Sequence, residues 1–360
     1  LSEAFFWGSR KTKKYFLIFD FSILKLFALF LKPLWRRNEN EMRMIVSMTT
    51  TPTRLSKIDV VLKTILEGQT RPPDKLLVHL PSTFARTGET YADPLGLFPD
   101  LTRNYQGVLE WVRGGPDYGP VTKLQGALQY LDDVEDDEDV WIVTIDDDIA
   151  YPPSLLETYE NFISLWRGHC QTNNTFFSPC AIGLAGFDFT PSRSIQDSTI
   201  SFVEGQKLAS VLEGYLSVCY SADCFAMSIG ETCLAPNRPE DVKAPLSWIQ
   251  YIQTCVTEPS CRLSDDILIS NWLALCKCPR LVLAQPHLHK HLLWDSNCIL
   301  PHGLQQDALH KIDDSTGFGN HKRYTRTKLA LHQWGWLAPD LNPVSPQEVA
   351  PATSDKLCYA

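Results

Sequence analysis

The run Val140-Trp-Ile-Val-Thr-Ile-Asp-Asp-Asp-Ile-Ala-Tyr-Pro-Pro153 decides the fold. Val140 to Ile145 reads as a buried strand. Asp146, Asp147 and Asp148 follow it directly, and Pro152 and Pro153 forbid the strand to continue. Adjacent like charges destabilise one another unless a cation sits among them. Hard divalent cations such as Mg²⁺ and Mn²⁺ prefer carboxylate oxygens and keep waters that a phosphate can replace. The plainer reading is a helix N-terminus with surface charge, for which one aspartate would suffice.

Upstream, "MRMIVSMTT" (Met42 to Thr50) predicts a strand running into a Thr-rich loop that Pro52 closes. Ser56 with Asp59 three residues on reads as a helix start. Ile58, Val61, Leu62, Ile65 and Leu66 then share one helical face, and Gly68 is a natural stop. "DKLLVHLP" (Asp74 to Pro81) is a second strand, 82–106 a polar loop, and "GVLEWVR" (Gly107 to Arg113) a third strand. A helix is predicted over 121–131, and the acidic run Asp132 to Asp139 reads as a solvated loop. Downstream of the aspartates, Ser154 and Glu157 form a capping-box pattern. Leu155, Leu156, Tyr159, Phe162, Ile163 and Trp166 make an apolar helical face. The alternation implies an α/β fold, a mixed and mostly parallel sheet flanked by helices. Ligands of such sheets bind beyond the carboxyl ends of the strands, where Asp146–Asp148 sits.

Beyond residue 170, Ser178 to Phe187 and Leu212 to Phe225 contain strand candidates, and Arg262 to Cys276 reads as a loop feeding a helix. Asp265 and Asp266 stand at that helix start after Ser264. They suit either a general base, which must take a proton from a reacting hydroxyl, or a cap that complements the helix dipole. The end of the chain, from Ala338 to Ala360, is proline-rich and reads as a flexible tail. The division that follows is an N-terminal hydrophobic anchor and linker (1–41), a main domain (42–300) and a C-terminal extension and tail (301–360).

The chain of 360 residues carries a net charge of -9, with 44% hydrophobic and 21% charged residues. Composition is that of a globular protein, and no long Lys/Arg run in the body points to nucleic acid. An acidic protein that handles a phosphorylated substrate usually needs a cation to mediate the contact. Eleven cysteines are spaced irregularly, apart from Cys276-Lys-Cys278. No paired CxxC units occur, which argues against a structural zinc site. Free buried thiols and lumenal disulfides both remain open. Near the N-terminus, Tyr15 to Leu31 is Phe/Leu/Ile-rich, flanked by Arg10, Lys11, Lys13 and Lys14 and by Arg36 and Arg37. It is close to the shortest stretch that spans a bilayer, but Asp20 and Lys25 inside it each cost about 2.5–3.5 kcal/mol at the centre of a membrane helix. A signal-anchor, an interfacial helix and a soluble helix packed on the body are the alternatives.

The ordered set of a Ser47–Arg54 strand-loop, a later strand, Asp146–Asp148, Tyr151-Pro152 and a helix is similar to glycosyltransferases of the GT-A fold. These are Rossmann-like, nucleotide-sugar-dependent enzymes with a DxD motif, here of the family-two-like kind. "DYGPVTKL" (Asp117 to Leu124) resembles their D-x-G-P-x-T-K segment. "LEGYLSVCY" (Leu212 to Tyr220) resembles a strand of the acceptor half, and "LSDDILISNWL" (Leu263 to Leu273) the acidic motif that opens a late helix. "HLHK" (His287 to Lys290) stands where some members place a metal-binding histidine. The resemblance spans Met44 to about Leu292.

The resemblance implies transfer of a sugar from a nucleotide-diphosphate sugar to a glycan, lipid or protein acceptor, with inversion favoured and Mn²⁺ or Mg²⁺ as cofactor. Thr49, Thr51 and Arg54 would line the nucleotide pocket. Asp117 would approach base or ribose, Lys123 a diphosphate oxygen, and Asp146 the ribose or the sugar. Asp148 would ligate the metal, with His287 and His289 as further candidate ligands. Asp266, with Asp265 as its alternate, would be the catalytic base. A single-pass tether in Golgi or ER membranes follows, or a cytoplasmic enzyme if residues 15–31 do not insert. Two rival functions stand beside this one. One is a metal-dependent phosphohydrolase or nucleotidyltransferase using the same aspartates. The other is a non-catalytic glycan- or Ca²⁺-binding protein.

Overall fold

Val140–Thr144 is a strand in which all five residues are buried. A strand covered on both faces has no polar alternation, and the rest of the sheet is built around it. The computed structural model describes residues 42–133, 139–173, 180–188, 206–227, 229, 247–283, 300–301, 320–338 and 341. Contacts divide the chain after Glu41, and every described residue belongs to the second unit, Met42–Ala360. The expected N-terminal hydrophobic helix therefore lies outside the described residues. Among those described, no helix is long and apolar enough to cross a membrane.

In chain order the strands are β1 (Arg43–Thr49), β2 (Lys75–Leu80), β3 (Leu109–Arg113), β4 (Val140–Thr144), β5 (Ala181–Gly183), β6 (Gly186–Phe187), β7 (Gln206–Leu208), β8 (Val211–Leu212), β9 (Val218–Ser221) and β10 (Arg280–Leu283). The longer helices are α1 (Asp59–Leu66), α2 (Thr122–Asp133), α3 (Leu155–Asn173), α4 (Trp248–Cys255), α5 (Asp265–Leu275) and α6 (Asn320–Gln333). Eight strands form one sheet in the order β3-β2-β1-β4-β9-β5-β10-β7, and β6 pairs with β8. Strands β3, β2, β1 and β4 are mutually parallel. β9 runs against both β4 and β5, β10 is parallel to β5, and β7 is antiparallel to β10. The expected mixed, mostly parallel sheet with flanking helices is present.

Successive residues of β1 serve opposite layers. Met44, Val46 and Met48 pack with Val61, Leu62 and Ile65 of α1 and with Leu155, Tyr159 and Ile163 of α3. Ile45 packs on the other side with Leu124 and Ala127 of α2, in a cluster that includes Trp272 of α5 and Tyr251 of α4. Period-two alternation along a strand is what lets one sheet fill two cores.

Several boundaries differ from the sequence reading. Helix α1 does not start at Ser56. The Arg54 and Leu55 amides both bond the Thr51 carbonyl, tightening Leu55–Lys57 into a 3₁₀ turn, and α1 begins after Ile58 without a side-chain cap. The 82–106 loop contains two short helices, Pro94–Leu97 and Pro99–Asn104. Each opens on a proline, whose fixed φ suits a first turn. Between them Phe98 stacks on Trp111 of β3 at 5.5 Å.

The sequence division at residue 300 separates parts that the fold joins. Leu331, Trp336, Ala338 and Leu341 are buried in the main core. The Asn271 side chain on α5 donates to the Trp336 carbonyl (2.9 Å) and accepts from the Ala338 amide (2.8 Å).

Candidate functional site

The register places the loops of interest at one edge of the sheet. Ser47 of β1 lies opposite Thr144 of β4, and Thr49 opposite His79 of β2. The Thr50–Arg54 loop and the Asp146–Asp148 turn therefore leave neighbouring strand ends. Because β9 is antiparallel, with Val218 opposite Thr144, the segment that enters it, Glu213–Ser217, comes to the same edge.

The strand ends at Thr144, and through the turn that follows burial alternates. Asp147 is buried, while Asp146 and Asp148 are partly exposed. Asp147 accepts from the Thr50 hydroxyl (2.5 Å) and from Arg54 Nη1 (2.8 Å). The same Nη1 lies 3.3 Å from Asp148 Oδ2. The Asp146 amide donates to the Tyr151 hydroxyl (2.8 Å), and Leu300 donates its amide to the Asp148 carbonyl (2.8 Å). Burial, followed by the charges of Asp146 and Asp147, raises the Asp148 carboxyl to about 7, with Arg54 and Lys123 opposing the rise.

Lys123 supplies the second cation. Its ammonium donates to Asp146 Oδ1 (2.7 Å) and lies 3.3 Å from Asp265 Oδ2. The lysine is only 4% exposed. Burial alone would pull its pKa down, but the Asp146 and Asp265 carboxylates overcome this and hold it well above the usual value. Its backbone is fixed from below. The Ser47 hydroxyl donates to the Lys123 carbonyl, and His79 Nε2 lies 3.0 Å from that hydroxyl oxygen. Burial drops the His79 imidazole to about 4, so it is neutral at pH 7. Gly126 follows on α2, where a Cβ would meet the His79 ring at 2.3 Å. The helix can lie this close to the sheet only with glycine there.

Asp265 and Asp266 do not cap their own helix. Ser264 occupies the cap position with no side-chain cap bond, and its hydroxyl donates instead to the Ser260 carbonyl (2.8 Å). Asp265 faces Lys123. Asp266 Oδ1 accepts from the Gly214 amide (2.7 Å), and Oδ2 from the Tyr324 hydroxyl of α6 (2.9 Å). Burial first, then Asp265, lifts the Asp266 carboxyl to about 7. Glu213 stands beside it, raised to about 8 by burial and by Asp266. A Cβ on Gly214 would lie 3.0 Å from Asp266 Oδ1 and 3.6 Å from Lys123 Nζ, so that residue is the floor between the two groups.

The site thus brings together Arg54, Lys123, Asp146, Asp147, Asp148, Asp265 and Asp266. Other expected residues have local partners. Thr49 donates its hydroxyl to the His79 carbonyl (3.0 Å), and Thr51 shares a hydrogen bond with Thr53 (3.1 Å). An open depression lined by Pro52, Thr53, Gly88, Glu89 and Thr90 adjoins this loop. Asp117 braces two turns, accepting from the Gly119 amide (2.7 Å) and the Ala85 amide (2.8 Å). His287 and His289 lie outside the described residues. Tyr324, Glu213, Gly214, Tyr151 and Thr50 were not singled out from the sequence. Tyr151 and Gly214 stand in segments whose motifs were recognised. Tyr324 carries no local signal, because only the docking of α6 brings it to Asp266.

Carboxylate oxygens at a partly open turn match the hard donors that Mn²⁺ or Mg²⁺ takes. Mg²⁺ commonly needs only one or two protein carboxylates, its other positions going to water and substrate phosphate. Asp148, with Asp146 beside it, fits that pattern. No protein-family model matches the chain, and no curated protein matches it.

Proposed function

We propose that the protein is a metal-dependent glycosyltransferase of the GT-A type. It would move a sugar from a nucleotide-diphosphate sugar to a hydroxyl acceptor, with inversion. The observation that carries this reading is the meeting of two acidic segments over one buried lysine. Asp146 and Asp265 both reach Lys123, at 2.7 and 3.3 Å, beyond the carboxyl ends of the parallel strands, where α/β sheets bind ligands.

Asp148 and Asp146 would hold the divalent ion, which when bound neutralises charge on the departing diphosphate. Asp266 is the base. Its carboxyl sits near neutral pH, the range in which a group both accepts a proton and is ionised to do so. The Gly214 amide and the Tyr324 hydroxyl orient it, and it takes the proton of the acceptor hydroxyl. Lys123 is a positioning residue that keeps the donor turn and the base-bearing helix at fixed separation. Arg54 holds the turn through Asp147. The apolar stretch 15–31 would tether the enzyme to an endomembrane.

Calorimetric titration with UDP and with GDP, in Mn²⁺ and in EDTA, tests this. Much tighter binding of one nucleotide in Mn²⁺ is expected. Equal affinity in both conditions would overturn the metal-bridged donor site.

A further inference from the structure

Three thiols meet at the opposite edge of the sheet from the carboxylates. Cys180 immediately precedes β5, Cys224 lies in the short helix Asp223–Ala226 that follows β9, and Cys278 comes just before β10. β5 lies between β9 and β10 in the sheet, with Ala181 opposite both Tyr220 and Arg280. These pairings bring residues scattered along the chain to one place. The three Sγ atoms lie within 4.8 Å of one another, all three residues are buried, and none is in a disulfide.

The surrounding structure fixes the cluster. The Trp272 indole donates to the Cys224 carbonyl (3.3 Å). The Cys278 amide donates to the Leu273 carbonyl (2.7 Å). Lys277, at φ 58, turns the chain off the end of α5 so that Cys278 faces inward. The Met227 thioether lies 3.7 Å from Cys278 Sγ. Arg280, buried two residues on, brings a guanidinium to the Cys278 carbonyl (3.5 Å). That charge offsets part of the negative charge that thiolates would introduce.

A single buried cysteine packs as a small hydrophobe; three sulfurs aimed at one point have a common ligand chemistry. An ion with metal–sulfur bonds of about 2.3 Å holds its sulfurs roughly 4 Å apart. The cluster reaches that geometry by closing no more than about 1 Å from its outer limit. We infer that Cys180, Cys224 and Cys278 bind a thiophilic d¹⁰ cation, Zn²⁺ or Cu⁺, as three thiolates. On binding, each S–H releases its proton to solvent and each sulfur gives an electron pair to the ion, with no change of oxidation state. Thiolate and thioether donors select such ions over Mg²⁺ or Mn²⁺. The ion ties β9, β5 and β10 together and has no part in the carboxylate site.

The full chain, purified under reducing conditions without chelator, should carry about one equivalent of zinc or copper by elemental mass spectrometry, and the element found decides between the two ions. Stripped protein titrated with Cd²⁺ should develop a sulfur-to-metal charge-transfer band that saturates at one equivalent and is lost in Cys278→Ser. Should that variant not fold, alkylation of the wild-type chain replaces it, with Cd²⁺ expected to shield these three cysteines together. UDP or GDP affinity should not change with the ion, so failure of the donor-site reading leaves this test intact. Four results overturn the inference: metal-free protein that gives no band, a full band in folded Cys278→Ser, shielding confined to other cysteines, and a disulfide joining two of the three in an alkylated digest.

Discussion

Two cations serve the acidic edge of the sheet, and they do so differently. Arg54 acts within one neighbourhood, joining the loop after β1 to the turn after the adjacent β4. Its contact with Asp147 is enclosed on both sides, with side chains 8% and 9% exposed. Lys123 spans a greater distance in the chain, from the β4 turn to the start of α5. Its partners are less enclosed, Asp146 at 32% and Asp265 at 12%. The difference teaches which carboxylates are structural. Asp147 is used up in holding the loop, whereas the side chains of Asp146 and Asp148 are 32% and 16% exposed and keep faces toward solvent.

The sharpest way to break this division is Asp148→Asn, which should abolish transfer and metal-dependent nucleotide binding while the fold persists. Retained metal-dependent binding, measured by calorimetry, would place the ion elsewhere. Asp266→Asn should lower turnover by roughly 10²–10⁴-fold, the range for a general base, with nucleotide affinity intact. If turnover holds and only melting changes, the carboxylate is structural.

Lys123→Met should cost about 3 kcal/mol in urea denaturation, since removing one partner of a buried ion pair leaves uncompensated charge. The figure is at the low end because Asp146 reaches solvent. Asp147→Asn should cost about 1–2 kcal/mol, because Asn still accepts one hydrogen bond but gives up the charge facing Arg54. A larger loss in Asp147→Asn than in Lys123→Met would mean that the contact enclosed on both sides stabilises the fold more than the one whose partner reaches solvent.

The smallest expected effect concerns pH. Unfolded, Asp148 and Asp266 titrate near the ordinary value of 3.8; folded, near 7. The stability that they contribute is complete below the unfolded value and is lost as pH rises through about 7. Asp148→Asn should therefore melt a few degrees above wild type at pH 8, by about 2–4 °C per kcal/mol recovered, and should match it near pH 4. An equal gain at both pH values would mean that the charge is not the cause.

Much of this was legible in the sequence, for identifiable reasons. The strands of the parallel half announce themselves because both faces of β4 are buried. Alternation through Asp146–Asp148 foretold that the middle residue differs from its neighbours, and in burial it does, although Arg54 touches both Asp147 and Asp148. The choice at Asp265–Asp266 between base and cap could not be read locally, since both use acids at a helix start. The contacts of Asp266 with Gly214 and Tyr324, 52 and 58 positions away, are what the fold adds, and they support the base reading proposed above. The meeting of three cysteines was illegible for the same reason. Zinc motifs are recognised by close ligand pairs, and Cys180, Cys224 and Cys278 come together only through strand order.

The lysine that joins Asp146 to Asp265 also sets a sequence of events in folding. Strands β1 to β4, with α1 and α2, contain all the residues that they need to pair before α5 has left the ribosome. Asp265 and Asp266 arrive later, and Tyr324 later still, each closing a long loop whose entropy must be overcome before the contact repays it. Within the carboxylate site, then, the turn after β4 comes first, the acids of α5 second, and Tyr324 last. A chain interrupted between residues 150 and 260 would hold the acidic turn and its arginine, and would lack Asp265, Asp266 and Tyr324.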